Sequence, residues 1–299
     1  MRLLLTLGSL LAACTPRPLL LGAGTCLGWF WCYVVPVRCA LARAQVRATL
    51  GVGAREAGRI VRSACVETAR NTLELMAWRR FLHVRKGVPW YGIEGLGNLE
   101  GAFARGRGIL LLTGHIGNFD LVACCEARRG LPVHILSKRL KSGGANAWWM
   151  ATRALLGVRI LPDDAPLAPA LEALRRNEVV ALVLDQHSRE ERAVESPFLG
   201  TPARTSSALA TLAVRSGAAI VPCFIHRKPD GTHLVEYLPP VEPARDGGAR
   251  ARIEATTRLC LAVLERQIRK HPGQWLWMHR RWKDRDGRSL VPLPSSRAS

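Results

Sequence analysis

The stretch Gly108-Ile109-Leu110-Leu111-Leu112-Thr113-Gly114-His115-Ile116-Gly117-Asn118-Phe119-Asp120 carries the pattern that decides the fold. Its four consecutive apolar residues, 109–112, are typical of a short buried strand. Gly117-Asn118 predicts a tight turn, and an apolar pattern of helical character follows it. The stretch therefore predicts a strand, a sharp turn and the start of a helix, with a histidine and a carboxylate held in the turn.

His115 and Asp120 form an H-x4-D pair across this turn. That spacing can bring the carboxylate to one imidazole nitrogen while the other nitrogen faces a substrate, which is the arrangement of an oriented general base. Histidine suits the role because its ordinary pKa lies near neutral pH. A buried histidine beside an aspartate at a helix N-terminus would show the same spacing, so the pair alone leaves both interpretations open.

Strands alternate with helices through the rest of the chain. Further strands are predicted at 133–136, 158–161, 179–184 and 219–224, with helices at 99–105, 119–127, 146–156, 169–176 and 206–215. This alternation predicts an α/β fold with a mixed, largely parallel sheet flanked by helices. Active sites of such sheets gather at the carboxyl ends of strands, and His115, Lys138 and Asp185 all fall there.

The charge balance favours anionic partners. The 299 residues include 43 basic and 23 acidic ones, a formal net charge of +20. Nucleic acid, an anionic membrane surface and phosphorylated substrates would all fit, but no nucleic-acid-binding motif accompanies the charge. The nine cysteines form no C-x-x-C pair, which indicates a reducing compartment. Cys223 and His226 lie close in sequence without further ligand spacing, so no metal site is expected.

The N-terminal region is strongly apolar. Leu3 to Ala13 precedes a proline-containing break, and Leu19 to Val37 approaches the ~20 residues that cross a bilayer. We therefore expect an N-terminal membrane helix within residues 1–40, a catalytic domain at 41–283 and a disordered tail at 284–299. Arginines after the apolar segment favour a cytoplasmic catalytic domain. A secretory signal peptide is the alternative for the first residues.

A basic helix face follows the apolar region. Arg55, Arg59 and Arg62 recur at helical spacing and share one face. Such a face can be an ordinary solvated surface, but directly after a membrane segment it can also contact anionic headgroups.

Several sequence blocks resemble one enzyme family. The block GHIGNFD at 114–120 resembles the H-x4-D/E motif of the lysophospholipid acyltransferase superfamily, and its Gly-Asn centre points to the lipid A biosynthesis (lauroyl and myristoyl) acyltransferases. That branch usually has glutamate where this chain has Asp120. Further similar blocks, in the family's order, are DQH at 185–187, PFLGTPART at 197–205, GAAIVPCF at 217–224 and HPGQWLWMHRRWK at 271–283.

The resemblance implies an inner-membrane O-acyltransferase with its catalytic domain facing the cytoplasm. It would move a fatty acyl group from acyl carrier protein, or acyl-CoA, to a hydroxyl of a lipid A precursor without a cofactor. His115 would act as the base and Asp120 would orient it. The residues predicted to bind substrates are Gly117, Asn118, Lys138, Arg153, Asp185, Gln186 and Arg204.

Two alternatives remain within the resemblance. The acceptor could be another glycolipid or phospholipid, such as a phosphatidylinositol mannoside. The chain could also be a catalytically silent membrane-binding homologue, although the intact His115 and Asp120 argue against that. A nucleic-acid-binding module is a third possibility from a different class, and it would require retention on DNA with a steep salt dependence.

Overall fold

The computed structural model describes residues 2–81, 91–137, 142–162 and 167–292. The ten helices of these residues are α1 (Arg2–Cys14), α2 (Arg17–Tyr33), α3 (Cys39–Leu50), α4 (Ala54–Met76), α5 (Leu96–Phe103), α6 (Phe119–Arg128), α7 (Gly143–Leu155), α8 (Ala168–Arg175), α9 (Ala208–Ser216) and α10 (Ala249–Lys270). Short 3-10 helices lie at Trp78–Phe81 and Pro272–Gln274. The strands are β1 (Tyr91–Glu94), β2 (Ile109–Thr113), β3 (Val133–Ser137), β4 (Arg159–Pro162), β5 (Val179–Val183), β6 (Val194–Phe198), β7 (Thr201–Thr205), β8 (Ala219–Arg227) and β9 (His233–Tyr237).

Seven strands form one sheet in the order β1-β9-β8-β2-β5-β3-β4. All adjacent pairs are parallel except β8 and β9, which pair antiparallel. β6 and β7 form a separate antiparallel hairpin. The predicted mixed, largely parallel α/β fold is thereby confirmed, and β2, at the centre of the sheet, is the strand that the opening stretch predicted.

The apolar run of β2 serves two cores at once. Leu110 and Leu112 pack in the layer that contains α3, α4, α8, α9 and α10. Ile109 and Leu111 point to the opposite layer, which contains α5 and α6. Successive strand side chains alternate between faces, so a strand covered on both sides must be apolar at every position. This is why β2 shows a continuous apolar run instead of an alternating one.

No helix among the described residues is both long enough and apolar enough to cross a bilayer. The N-terminal membrane helix expected within residues 1–40 is therefore not supported. The proline-containing break around Pro16 leaves α1 with 13 residues and α2 with 17, and α2 ends at Tyr33 rather than Val37. Both helices are shorter than the ~20 residues that a span requires.

α2 packs closely along α4 through two glycines. A Cβ added at Gly28 would lie 2.4 Å from the Cα of Val66, and one added at Gly24 would lie 2.8 Å from the Cα of Arg70. The two backbones can approach this closely only where a side chain is missing. The predicted 1–40 segment is thus docked, through α2, against α4 of the domain predicted at 41–283.

The C-terminal residues also fold against the domain. Val291 is buried in the same core layer as α4 and α10, and Lys283 forms an isolated bridge with Ser289. The ordered chain therefore continues past the boundary predicted at 283, at least to residue 292. The rest of the predicted tail, 293–299, lies outside the described residues.

The close α2–α4 contact predicts opposite effects of two glycine substitutions on one helix. Gly28→Ala should destabilise the protein by roughly 1–3 kcal/mol, because its methyl group would overlap the α4 backbone. Gly22→Ala is the matched control: no atom lies within 4 Å of its added Cβ, and alanine is favoured over glycine by up to ~1 kcal/mol in a helix. Urea unfolding of both variants tests this, and equal midpoints would contradict the packing.

Candidate active site

The candidate site lies where the carboxyl ends of β2 and β5 meet. The two strands pair in register, with Thr113 opposite Val183. His115 and Asp185 each follow the end of their strand by two residues, so the register places them side by side. Gly114 allows this approach, since a Cβ there would lie 3.1 Å from Asp185 Oδ2 and 2.8 Å from Leu264 Cδ2.

His115 is bound to Asp185 through both its backbone and its ring. The backbone N–H of His115 donates to Asp185 Oδ2 at 2.7 Å, and its Nδ1 lies 2.8 Å from Oδ1. Trp275 Nε1 donates to Oδ2 at 2.6 Å. The Asp185 carboxylate is thus saturated with donors in a buried position.

The second ring nitrogen of His115 faces the cavity. Gln186 Nε2 lies 3.0 Å from His115 Nε2, so the amide donates to the lone pair of that nitrogen. The bonding pattern therefore assigns the tautomer with its proton on Nδ1, toward Asp185. A phenyl ring, Phe119, contacts the imidazole edge to face with the ring centroids 4.7 Å apart. The imidazole is held in the state that can accept a proton through Nε2.

The charges around the pair shift both pKa values. Burial works to lower the pKa of His115, but the Asp185 carboxylate and then Asp120 raise it, and the net pKa lies above 6.5. Burial would raise the pKa of Asp185, but the positive charge and hydrogen bonds of His115 and the Trp275 bond lower it to about 2. In contrast, burial lowers the pKa of His187 and of His279 to about 4. Of these three histidines, His115 is the one with a raised pKa.

The structure corrects the predicted partner of His115. Asp185, rather than Asp120, accepts the ring hydrogen bond. Asp120, in the first turn of α6, forms an ion pair with Arg153 of α7, and Arg153 also donates to Ser137 Oγ at 2.9 Å. The four-residue spacing does bring Asp120 near His115, but the guanidinium of Arg153 takes its carboxylate. Asp120 therefore acts on His115 through its charge.

The other predicted substrate-binding residues separate into two groups. Gln186 and Arg153 line the cavity beside His115. Gly117 and Asn118 are structural: a Cβ on Gly117 would lie 2.1 Å from the Ile225 carbonyl oxygen, and Asn118 is buried and donates to Glu74 Oε2 at 3.2 Å.

Of the remaining two predicted residues, Arg204 is not among the residues that line the cavity, and Lys138 cannot be placed. Arg204 is buried and pairs with Glu195 at 2.7 Å. Lys138, with its neighbours Arg139 and Lys141, lies outside the described residues. Their predicted binding of the acceptor stays a prediction.

A cavity of about 720 Å³ opens at His115 and runs between α6 and the sheet. Its wall along the sheet and α6 is apolar and includes Leu111, Val122, Ala123, Val133, Ile135 and Ala181. The lining also contains polar groups: His115, Asp120 and Gln186, a set from the loop after β5 that includes Glu190 and Arg192, and Glu126, which is bonded to the Tyr91 hydroxyl at 2.9 Å. A cavity of this volume with apolar walls beside a basic imidazole fits a hydrophobic substrate whose reacting group lies at His115.

Sequence reasoning missed the structural role of the terminal block. Residues 274–276 lie along the turn 114–118, which we call the catalytic turn after the predicted base His115. Gly117 N–H donates to the Gln274 carbonyl at 3.0 Å, and Leu276 N–H donates to the His115 carbonyl at 3.1 Å. Trp275 is buried, and its indole N–H donates to Asp185. The signal available in the sequence was the density of polar and aromatic residues in HPGQWLWMHRRWK.

Arg281, in the same block, is a second missed residue. Its guanidinium is fully buried and donates to the carbonyl of Gln186 at 3.1 Å and to Thr205 Oγ1 at 2.6 Å, and also to the carbonyl of Arg204. It therefore fixes the loop after β5 that carries Asp185 and Gln186. Burial lowers the pKa of Arg281 to about 10, which leaves it charged at neutral pH.

A second buried network supports the turn from behind. Glu74 of α4 accepts hydrogen bonds from Arg227 Nη2 at 2.7 Å and from His233 Nε2 at 2.9 Å, in addition to Asn118. Burial alone would raise the pKa of Glu74, but the His233 and Arg227 partners hold it well below its usual range. The ionised carboxylate ties α4, β8, β9 and the catalytic turn together.

Comparisons with known proteins identify related acyltransferases. The chain is 29% identical over 194 residues to a phosphatidylinositol mannoside acyltransferase of Mycobacterium tuberculosis, an alignment that covers 64% of this chain and 59% of that protein. It is 29% identical over 215 residues to the lipid A biosynthesis lauroyltransferase of Escherichia coli K12, covering 70% and 67% of the two chains. A lipid A biosynthesis palmitoleoyltransferase of the same organism is 25% identical, covering 70% and 66%.

The alignment with the mycobacterial relative thus spans about three-fifths of that protein's length. The match to the family itself is much more complete, since residues 3–284 fit the sequence pattern described as bacterial lipid A biosynthesis acyltransferase. That range contains α1 to α10, both sheets and the whole candidate site. The chain therefore belongs to the bacterial lipid A biosynthesis acyltransferase family.

Proposed function

We propose that the protein is a membrane-surface acyltransferase that moves a fatty acyl group from a thioester to a hydroxyl of a glycolipid, with a lipid A precursor as acceptor and acyl carrier protein as donor. The observation that carries the proposal is the geometry at the cavity mouth. There Asp185 holds the proton of His115 on Nδ1, and Nε2 faces an apolar cavity large enough for an acyl chain.

The reaction follows from this tautomer. The acceptor hydroxyl replaces the Gln186 amide at Nε2 and gives its proton to that nitrogen as the oxygen attacks the thioester carbonyl. The resulting imidazolium is stabilised by the Asp185 carboxylate. The released Gln186 amide lies close enough to donate to the developing oxyanion. When the carbon–sulfur bond breaks, the proton on Nε2 passes to the leaving thiolate, so the imidazole returns to its neutral form.

Direct transfer fits the cavity better than a covalent acyl-enzyme on cysteine. Cys223 lines the cavity, but burial and the neighbouring Glu126 raise its pKa far above neutral pH. A thiol in that environment is a poor nucleophile, because the thiolate is the reactive form.

The N-terminal helices support the membrane-surface assignment. Leu3, Leu4 and Leu11 of α1 are each about 70% exposed, and Leu19, Trp29 and Val34 are more than half exposed. Exposed apolar groups of this size on adjoining short helices fit a surface that lies in the headgroup region instead of crossing the bilayer. Arg55 and Arg59 are also exposed on α4, and since Arg59 is paired with Glu56 at 2.6 Å, the positive charge of this face comes from Arg55.

Charge and family support the proposed acceptor. A net charge of +20 favours an acceptor with phosphates or acidic sugars, such as a lipid A precursor. A phosphatidylinositol-mannoside-like acceptor is the second candidate, since one group of relatives carries that name. Acyl carrier protein is acidic as well, so the same charge fits the donor.

Replacing the base should abolish transfer without unfolding the protein. We expect His115→Ala to lower kcat by roughly 10²–10⁴-fold in an assay of acyl transfer from acyl carrier protein to a lipid A precursor. The control is its thermal unfolding, which should stay within a few degrees of wild type. A folded His115→Ala protein with near-native turnover would rule out the mechanism.

The pH dependence distinguishes the two carboxylates. His115 must be neutral to accept a proton, so kcat/KM falls as the pH drops through its pKa, which lies above 6.5. Asp185→Asn removes the charge that raises the pKa of His115 most, while burial still lowers that pKa. The acidic limb of the kcat/KM profile should therefore move to lower pH. Asp120→Asn should move the limb in the same direction by less, because Asp120 acts through charge alone.

The magnitude of kcat should separate the same two variants. Asp185→Asn is expected to cost ~10²–10⁴-fold, because it loses the acceptor that fixes the ring tautomer. Asp120→Glu keeps the charge beside Arg153 and should retain activity. Identical pH profiles for wild type and Asp185→Asn would show that Asp185 does not set the state of His115.

Membrane binding is tested on the exposed leucines of α1. Leu4→Glu and Leu11→Glu should each reduce co-flotation with anionic vesicles about tenfold or more, because each removes a side chain whose burial stabilises by ~1.5–3 kcal/mol. Leu259→Glu on α10, also an exposed leucine, is the control and should bind as wild type. Equal losses in all three variants would assign the effect to charge rather than to α1.

A further inference from the structure

Three side chains that the proposed reaction does not use, one buried and two half-buried, lie together between β8, β9 and the end of α10. They are His226, Glu236 and His271, and their Nδ1, Oε2 and Nε2 atoms respectively are buried without a hydrogen-bond partner in the described part of the chain. The three residues can each direct one ligand atom so that all lie within 4.8 Å of one another. His226 Nδ1 and Glu236 Oε2 lie 3.3 Å apart, so they pair only when the imidazole is protonated. Buried polar atoms are nearly always satisfied, and a cation placed among the three would satisfy all of them.

The fold brings these residues together in a defined way. In the antiparallel pair β8–β9, His226 lies opposite Leu234, so Glu236 is its diagonal neighbour on the same face of the sheet. His271 directly follows the last residue of α10 and stacks on His226, with ring centroids 4.0 Å apart. One strand, its neighbour and a helix end therefore each supply one ligand.

We propose that His226, Glu236 and His271 form a binding site for a divalent transition metal ion, with zinc as the preferred occupant. Two imidazole nitrogens and one carboxylate oxygen are a common protein ligand set for Zn²⁺, with water in the fourth position. His226 Nδ1 and Glu236 Oε2 lie 3.3 Å apart, close to the ~3.3–3.5 Å that separates neighbouring ligands of a tetrahedral zinc ion. Because the stacked rings point their free nitrogens side by side, binding requires one imidazole to rotate toward the ion.

The surrounding charges leave the ligand oxygen available. Lys270 Nζ lies 2.8 Å from Glu236 Oε1, so it holds the other oxygen of the carboxylate and orients Oε2 toward the imidazoles. Hydrogen bonds of this kind to a ligating carboxylate are typical of metal sites. The site was not predictable from the sequence, because its three ligands are separated by 10 and 35 positions without a recognisable motif.

A bound ion would act as a cross-link directly behind the catalytic turn. The residue before His226, Ile225, contacts Gly117 through its carbonyl, and the residue after it, Arg227, is held by both side-chain amide atoms of Gln274 at 2.8 Å. His271 begins the short segment that carries Gln274 and Trp275. The metal would therefore join α10 to β8 at the point that supports the turn. This inference does not depend on the proposed acyl transfer.

The test is metal binding by the full-length chain, purified without a histidine tag and treated with EDTA. We expect one Zn²⁺ per chain by elemental analysis after dialysis, a rise in Tm of a few degrees with added Zn²⁺, and the visible absorption of tetrahedral Co²⁺ when cobalt replaces zinc. His271→Ala and Glu236→Gln should each lose all three signals. If His271→Ala fails to fold, Glu236→Gln and His226→Gln carry the same test.

Two control variants are matched to the site. His134→Ala removes another buried histidine that pairs with a glutamate, Glu178 at 2.7 Å, and should leave binding unchanged. Cys65→Ala disrupts the cluster of Cys32, Cys39 and Cys65, whose sulfur atoms can also converge within 4.8 Å, and it should likewise leave binding unchanged. Loss of the ion in Cys65→Ala together with sulfur-to-cobalt charge-transfer absorption, or no bound metal in wild type, would overturn the proposal.

Discussion

The buried Asp185 carboxylate is the acceptor that organises the site. Its two oxygens receive the His115 backbone N–H, the His115 ring and the Trp275 indole. Removing a carboxylate from water is costly unless every lone pair is satisfied, so the three donors and the acceptor must be assembled together. The segments that follow β2 and β5 supply the two His115 donors and the Asp185 acceptor. The terminal block supplies the third donor, the Trp275 indole. The terminal block must therefore pack in place before Asp185 can hold His115 as a base.

A second buried carboxylate, Glu74, is stabilised in the same way on the other side of the turn. Glu74 is buried among Arg227, His233 and Asn118, and Arg227 also pairs with Glu67 at 2.7 Å. These groups sit within layers of apolar residues, where an unmatched charge would be strongly destabilising. Because the turn 114–118 lies between two saturated ionic networks, its backbone has little freedom. A rigid turn keeps His115 in one tautomer and one orientation, which general-base chemistry requires.

The parts of the fold that depend on local sequence were predictable. The uniform apolar run of β2, the glycine turn and the helical pattern after it identified the central unit, and placing His115 and Asp185 at strand ends brought both to the correct edge of the sheet. Their direct contact was not predictable, because it depends on β5 lying next to β2, and strand order is set by the packing of distant elements. Spacing alone favoured Asp120, whose carboxylate is instead taken by Arg153 from α7. The length of the N-terminal apolar helix was overestimated, because hydropathy over Leu19–Val37 does not show where the helix ends.

The register of β2 and β5 has a consequence for how this chain can vary in length. Both bonds between His115 and Asp185 arise two residues past a paired position, Thr113 opposite Val183. An insertion of a single residue in either short connection would rotate one partner to the other face of the sheet and break both bonds at once. At the opposite edge, the loops that lead into these strands carry no residue of the candidate site. Natural or engineered length changes should therefore accumulate at that edge, while the two connections at the catalytic edge keep a fixed length.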